Sequence, residues 1–164
     1  MPTLKEICYS AGLFDGEGSV SAYLQTSGRS ERKVPGLVVQ LASTDKKVIN
    51  WLISTWQAGW VISSKRDRPN HRLCYHWKLY GDNAKRFLEA VLPYLIIKRE
   101  VAGLGISLRD RMKQGGTWRY IPSAELERRM QIRDKILTLN VKHKSKARSK
   151  AEIERSRISR TKTK

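Results

Sequence analysis

The spacing of apolar residues predicts a chain of alternating helices and strands. Apolar positions recur about every 3.6 residues in some segments and every second residue in others. The predicted order is helix, two strands, helix, two strands, helix and then further helices, over about residues 3–14, 19–25, 37–43, 45–56, 60–66, 72–80, 82–93, 98–112 and 123–139. The two strand–strand–helix blocks are spaced like an internal repeat. The natural layering is α+β, in the order αββαββα, with an antiparallel sheet backed by helices.

Polar residues and glycines mark the ends of these helices. Thr3 and Glu6 fit the T-x-x-E pattern of a capping box. The other predicted N-caps are Thr44 or Asp45, Asp82 or Asn83, and Ser123. The glycine-rich segment DGEG, residues 15–18, is predicted to end the first helix, and Pro93 to end the third.

Two of the strands have one apolar and one polar side. Residues expected to face the helices are Val20, Ala22 and Leu24 in one strand and Leu73, Tyr75, Trp77 and Leu79 in another. The opposite side would carry Ser21, Tyr23, Gln25, Arg72, His76 and Lys78. A polar, basic sheet surface suits the DNA major groove, where side chains meet base edges.

The charge of the chain points to a polyanionic partner. The 164 residues carry a net charge of +18. Residues 142–164 form a basic tail of net charge +8, expected to be disordered, and residues 1–141 form a domain that keeps +10. Apolar runs are too short for a membrane span, and the N-terminus lacks a secretory pattern. The two cysteines form no C-x-x-C pair. We therefore expect an intracellular protein that is neither secreted nor bound to membranes.

The segment AGLFDGEGSV, residues 11–20, contains the most specific pattern in the chain. It resembles the LAGLIDADG motif of homing endonucleases, with matches at Ala11, Gly12, Leu13, Asp15, Gly16 and Gly18. Glu17 takes the place of the motif's second acidic residue, and Ser10 replaces its leading leucine. The resemblance covers about residues 1–112. Because the motif occurs once, it implies a homodimer that cuts both strands of a long pseudo-palindromic DNA target.

The resemblance also implies the residues of an active site. Glu17 would bind a divalent cation together with the carbonyl oxygen of Gly16, while Asp15 would hold the helix end. The cation is expected to be Mg²⁺, with Mn²⁺ or Ca²⁺ in non-productive complexes. Lys98 would stabilise charge at the scissile phosphate or position water, although a surface lysine at a helix start remains an equal alternative. Gln40 would position water.

Two further sets of residues follow from the same interpretation. Small and apolar residues expected to pack the first helix against its partner are Ile7, Cys8, Ala11 and Gly12. The expected DNA contacts are Ser21, Tyr23, Gln25, Arg29, Arg32, Lys33, Arg66, Arg68, Arg72, His76 and Lys78. Contact with bases is favoured for the strand residues, and phosphate contact or solvation for the loop residues.

Two other functions remain open at this stage. The same scaffold could serve a non-cleaving DNA- or RNA-binding protein, such as a maturase or a regulator, although the acidic residue at position 17 favours an enzyme. A basic ribosome-associated protein would also explain the charge, but it gives no reason for DGEG.

Overall fold

The structure, a computed structural model, describes residues 2–26, 32–65, 72–114 and 121–140. Its elements are α1 (Leu4–Glu17), β1 (Gly18–Thr26), β2 (Lys33–Ser43), α2 (Lys46–Trp56), β3 (Trp60–Ser64), β4 (Cys74–Tyr80), α3 (Gly81–Val91), a 3-10 turn (Leu92–Tyr94), α4 (Arg99–Gln114) and α5 (residues 123–140). The predicted αββαββα order, with additional helices after it, is confirmed. The predicted tail, residues 142–164, lies outside the described ranges.

The four strands form one antiparallel sheet in the order β1-β2-β4-β3. The helices cover one face, since the inward side chains of β1, β2 and β4 share a single core with α1 to α5. Across the sheet, the register aligns Ser19, Gln40, Lys78 and Trp60 in one row. Side chains of paired residues point to the same face, so this row lies on the face away from the helices. None of the described helices is long and apolar enough to cross a membrane.

An aromatic cluster joins the first helix to the sheet. The ring of Phe87 lies 5.2 Å from that of Phe14, 4.8 Å from Trp56 and 5.3 Å from Trp77, each in an edge-to-face arrangement. These side chains are nearly or fully buried. The indole N–H of Trp56 donates to the hydroxyl of buried Ser10 at 3.1 Å. Ser10, which departs from the motif's leucine, is therefore a polar partner inside the core.

The first helix ends later than the sequence predicts. The capping box of Thr3 and Glu6 is present, but α1 continues through the DGE segment to Glu17. The chain turns directly into β1 at Gly18, whose N–H donates to the carbonyl of Phe14. A Cβ on Gly18 would lie 2.1 Å from the Phe14 ring, so this junction requires glycine. The acidic residues of DGEG thus occupy the last helical turn rather than a loop.

Of the three other predicted helix starts, one is confirmed and two are wrong. Asp45 caps α2 by accepting from the N–H of Lys47 at 2.8 Å. Asp82 does not cap α3; it lies in the first turn, where its carboxylate forms ion pairs with side chains of α4. The start of α5 depends on the carbonyl of Pro122, which accepts from the N–H groups of Glu125 and Leu126, rather than on Ser123.

Three residues expected to face the core are partly exposed. Leu24 and Leu73 lie towards strand ends. The apolar spacing of Leu126, Met130 and Leu137 predicts that these side chains face the core from α5, but Leu137 is 37% exposed. Ile136 is fully buried in place of Leu137. The error at Leu137 corresponds to a rotation of α5 about its axis by one residue, because neighbouring helix positions are about 100° apart.

Candidate functional site

Asp15, in the last turn of α1, binds the chain segment that leads into α4. One carboxylate oxygen accepts from the N–H groups of Ile96 (2.7 Å) and Ile97 (3.2 Å), and the other from the N–H of Lys98 (3.0 Å). Successive backbone N–H groups form a favourable site for an anion. Asp15 therefore joins two parts of the chain, in agreement with the prediction that it holds the helix end.

The side chain of Lys98 returns to the same helix end. Its ammonium group donates to the carbonyl oxygen of Asp15, and its N–H and carbonyl lie at the start of α4. Burial lowers the pKa of Lys98, and the charges of Asp15 and Glu17 partly oppose this shift. The geometry thus places a partly buried cation beside the two acidic residues, whereas a lysine on the open surface was the alternative expectation.

Glu17, unlike Asp15, has its carboxylate exposed. No residue in the described ranges forms a hydrogen bond or ion pair with it. The last carbonyl groups of a helix lack intrahelical partners. Here Phe14 accepts from Gly18 and Asp15 from Lys98, while the carbonyl of Gly16 accepts from no other described residue. An exposed carboxylate and a free carbonyl therefore lie on consecutive residues.

Gln40 lies on β2 opposite Ser19, and Ser19 follows Glu17 by two residues in the chain. Its amide nitrogen is 3.0 Å from Nδ1 of His76, and the other ring nitrogen of His76 is 2.8 Å from the hydroxyl of Ser64. These three side chains connect β2, β4 and β3 on the outward face. No sequence pattern indicates this connection, because the spacing between the strands depends on their register.

A cavity of about 420 Å³ lies between the start of β1 and the start of α4. The residues that line it include Ser19, Ser21, Ile97, Lys98 and Asn140. Asn140, at the end of α5, donates to the main-chain carbonyl of Val20 at 2.9 Å. Sequence reasoning missed Ser19 and Asn140; the position of Ser19 directly after the motif was the available signal, and Asn140 had none.

The outward face of the described strands carries one cation. Within these strands, Lys78 is the one Lys or Arg at an outward position, and Arg72, the other cation expected on this face, lies just before β4. The remaining outward positions are mainly hydroxyl, amide, aromatic and aliphatic residues, including Trp60, which is 73% exposed. Most of this face is therefore uncharged within the described strands.

The predicted DNA-contact residues divide into three groups by position. Those on or beside the outward face of the strands are Ser21, Tyr23, Gln25, Arg72, His76 and Lys78. Two others lie at the start of β2: Arg32 donates to the carbonyl of Ile121 at 2.8 Å, and Lys33 pairs with Thr26 at the sheet end. Arg29, Arg66 and Arg68 lie outside the described residues.

The exposed side of α1 differs from the predicted packing surface. Ala11 has no exposed surface and belongs to the core of its own chain, so its assignment to a partner-facing surface is wrong. Ile7 also packs partly against that core. The exposed side carries Leu4, Cys8, Gly12 and Gly16, one residue per helical turn. Gly12 and Cys8 are exposed, as a packing surface requires, whereas the small-residue pattern could not distinguish interior from exterior for Ala11.

Apolar residues continue this exposed side of α1. Leu4 is 62% exposed, and Ile96 and Ile97, which Asp15 binds, are 88% and 57% exposed. A Cβ added at Gly12 or Gly16 would meet nothing within 4 Å. The helix backbone is therefore accessible to a second molecule along this side.

Comparisons with known proteins identify the fold. No protein-family model and no curated protein sequence matches the chain. The homing endonuclease I-CvuI superposes with a TM-score of 0.67 at 19% identity over 82% of each chain. The archaeal intron-encoded homing endonuclease I-Vdi141I gives 0.66 at 14% identity, over 82% of this chain and 84% of that one.

A third similar structure is the LAGLIDADG homing endonuclease I-SmaMI, with a TM-score of 0.64 at 16% identity. The match covers 80% of this chain but 43% of I-SmaMI. The chain therefore has the LAGLIDADG homing-endonuclease fold, and the resemblance drawn from residues 11–20 is confirmed at that level.

Proposed function

We propose that the chain is a site-specific, divalent-metal-dependent DNA endonuclease that acts as a homodimer and cuts both strands of a pseudo-palindromic target. The similar structures of I-CvuI, I-Vdi141I and I-SmaMI are complexes with DNA, which supports a DNA substrate. I-CvuI was crystallised with Mg²⁺ or Ca²⁺, which supports a role for divalent cations.

The observation that carries the proposal is the different use of two neighbouring acids. Asp15 accepts three backbone hydrogen bonds, whereas Glu17 is exposed and forms no hydrogen bond or ion pair with any described residue. A purely structural motif would not need the second acid. Like-charged carboxylates brought together across a two-fold axis would repel each other unless cations lie between them.

The donor set fits a hard cation. The carboxylate of Glu17 and the carbonyl of Gly16 offer oxygen ligands, which Mg²⁺ prefers. Within the described residues no group of three or more His, Cys, Asp or Glu side chains could hold a metal by itself. Additional ligands would therefore come from the second protomer and the DNA phosphates. When bound, the cation supplies Lewis acidity and lowers the pKa of coordinated water.

Lys98 and Gln40 act on the charge of the scissile phosphate and on the position of water. Lys98 holds a positive charge next to Glu17, where it stabilises negative charge that develops on the scissile phosphate. Gln40 holds water by hydrogen bonds from the neighbouring strand. The outward sheet face binds the duplex, and its serine and glutamine side chains contact base edges in the major groove.

The first experiment is cleavage selection from a randomised pseudo-palindromic DNA library, with Mg²⁺ or with EDTA. We expect Mg²⁺-dependent cutting at one enriched sequence, lost in Glu17→Gln while DNA binding persists. Lys5→Gln on the other end of α1 is the matched control and should cut normally. Sequence-specific binding without cutting under any divalent ion would refute the nuclease assignment.

The homodimer requires its own test. Gly12→Arg places a long charged side chain on the exposed side of α1, where it meets no atom of its own chain. We expect a monomer by analytical ultracentrifugation that no longer cuts. Gly103→Arg is the control, because Gly103 is also helical and open to an added Cβ. An unchanged sedimentation coefficient for Gly12→Arg would exclude dimerisation through α1.

A non-cleaving nucleic-acid-binding protein is the second candidate. Exposed aromatic rings on the outward face, at Trp60, Tyr23 and Tyr80, favour contact with unpaired bases, which stack on such rings. This function predicts a preference for single-stranded RNA over duplex DNA and no dependence on Glu17. Competition binding with both nucleic acids, alongside the cleavage selection, distinguishes the two candidates.

A further inference from the structure

The hydrogen bonds of His76 determine whether the oxygen or the nitrogen of the Gln40 amide is available to bind water. The amide nitrogen of Gln40 lies 3.0 Å from Nδ1 of His76. An amide nitrogen can only donate, so Nδ1 must accept and carry no proton. A neutral imidazole then has its proton on the other nitrogen, which donates to the hydroxyl of Ser64 at 2.8 Å. One set of proton positions therefore satisfies both contacts.

The tautomer with a proton on Nδ1 would change which atoms of the Gln40 amide face the water. If Nδ1 carries a proton, two donors face each other and the amide must turn by 180° so that its oxygen accepts. In the observed orientation, no described residue donates to the amide oxygen, which is free to accept a hydrogen bond from water. After the turn, the N–H groups take the place of the oxygen, and they would donate to the oxygen atom with which water attacks phosphorus.

We propose that His76 is a positioning residue for Gln40, holding the amide with its oxygen available to the attacking water. The inference rests on the proposed nuclease function, since it assigns the water to that reaction. His76 does not touch the reacting atoms; it acts through Gln40, and the Ser64 hydroxyl accepts the Nε2 proton of the required tautomer. The three side chains lie on three adjacent strands, which fixes their separation.

Gln40 and Ser64 are the hydrogen-bond partners of His76 within the described residues. On its own strand and face lie Cys74, Lys78 and Tyr80, and Arg72 precedes the strand. Its neighbours on the other strands, Gln40 and Ala42 of β2 and Ile62 and Ser64 of β3, are uncharged. Within the described residues, the group therefore faces cations and no carboxylate.

The tautomer can be measured without cleavage. In the ¹⁵N-labelled full-length protein, long-range ¹H–¹⁵N correlation spectra distinguish the two neutral forms of each histidine. We expect His76 with its proton on Nε2, and a mixture of tautomers in Gln40→Ala. A proton on Nδ1 in the wild type would overturn the proposal, whether or not the protein is a nuclease.

Kinetics then test the link to Gln40. We expect His76→Leu to lower kcat by up to about 100-fold, because a misplacement of about 1 Å costs that order, while KM stays unchanged. His76→Asn, which keeps an acceptor near the position of Nδ1, should recover most of the rate.

The double variant separates positioning from a structural role. In a Gln40→Ala background, His76→Leu should have no further effect on kcat, because coupled residues are not additive. Additive losses, or a change in KM alone, would overturn the proposal. If the wild type cuts no selected DNA, the proposed function fails, and the tautomer measurement still decides whether His76 orients Gln40.

Discussion

The two acids of the DGE segment should respond in opposite ways to the same chemical change. Asp15→Asn replaces one carboxylate oxygen by an NH₂ group, which cannot accept. One oxygen accepts two backbone N–H bonds and the other accepts one, so the variant loses at least one bond. Hydrogen bonds to charged groups contribute about 1.5–3 kcal/mol each. We therefore expect Asp15→Asn to lower the free energy of unfolding by about 2–4 kcal/mol.

Glu17→Gln changes an exposed side chain without a described partner, so its effect on stability should remain within about 0.5 kcal/mol. Urea unfolding in the absence of divalent metal measures the free energy of unfolding of both variants. With a slope of about 2 kcal/mol per M, Asp15→Asn shifts the midpoint down by about 1–2 M. The midpoint of Glu17→Gln should not move. Equal shifts in the two variants would refute the division between a structural and a functional acid.

Three further predictions concern single side chains. Lys98→Met should abolish cleavage without lowering the urea midpoint, since burial disfavours the charge that the variant removes; a large loss of stability would contradict this. Ser10→Ala leaves the buried indole N–H of Trp56 unpaired and should cost about 1–3 kcal/mol in urea unfolding, whereas an unchanged midpoint would show that the bond is unimportant. Ion pairs lower the pKa of Asp82 from 3.8 to about 2, so its contribution to stability is present above pH 3.8 and is lost as pH falls towards 2. Because the side chain is 59% exposed, the difference in midpoint between wild type and Asp82→Asn should be small and should shrink with added salt.

The elements of the fold were predictable because their periodicity is local. Amphipathic spacing is visible within a single helix or strand, and it located the sheet and the helices that cover it. The end of α1 was not predictable in this way. DGE resembles a helix terminator, yet it remains helical while Asp15 binds backbone N–H groups 81 to 83 residues further along the chain. Contacts at that separation leave no periodic signal.

The same limit applies to the identity of buried polar residues and packing surfaces. Ser10 departs from the motif, and its partner Trp56 lies 46 residues away. Ala11 and Gly12 are both small neighbours on α1, yet one is buried in its own core and the other is exposed. A small residue permits close packing with any helix or strand. Only the arrangement of the surrounding elements decides whether its neighbour belongs to the same chain.

The outward face of the sheet also shows why DNA recognition cannot be assigned from single residues. With Lys78 as the one Lys or Arg at an outward position in the described strands, specificity would depend mainly on amides and hydroxyls. The hydroxyl of Tyr23 donates to the amide oxygen of Gln25 at 3.2 Å. That hydrogen bond orients the Gln25 amide and leaves one oxygen lone pair and both N–H groups for a base edge. A two-bond contact of the kind that glutamine forms with adenine needs the amide in one particular orientation. Under the proposed function, the reading of a base by Gln25 therefore depends on a pair of side chains, and replacing Tyr23 would alter it as much as replacing Gln25 itself.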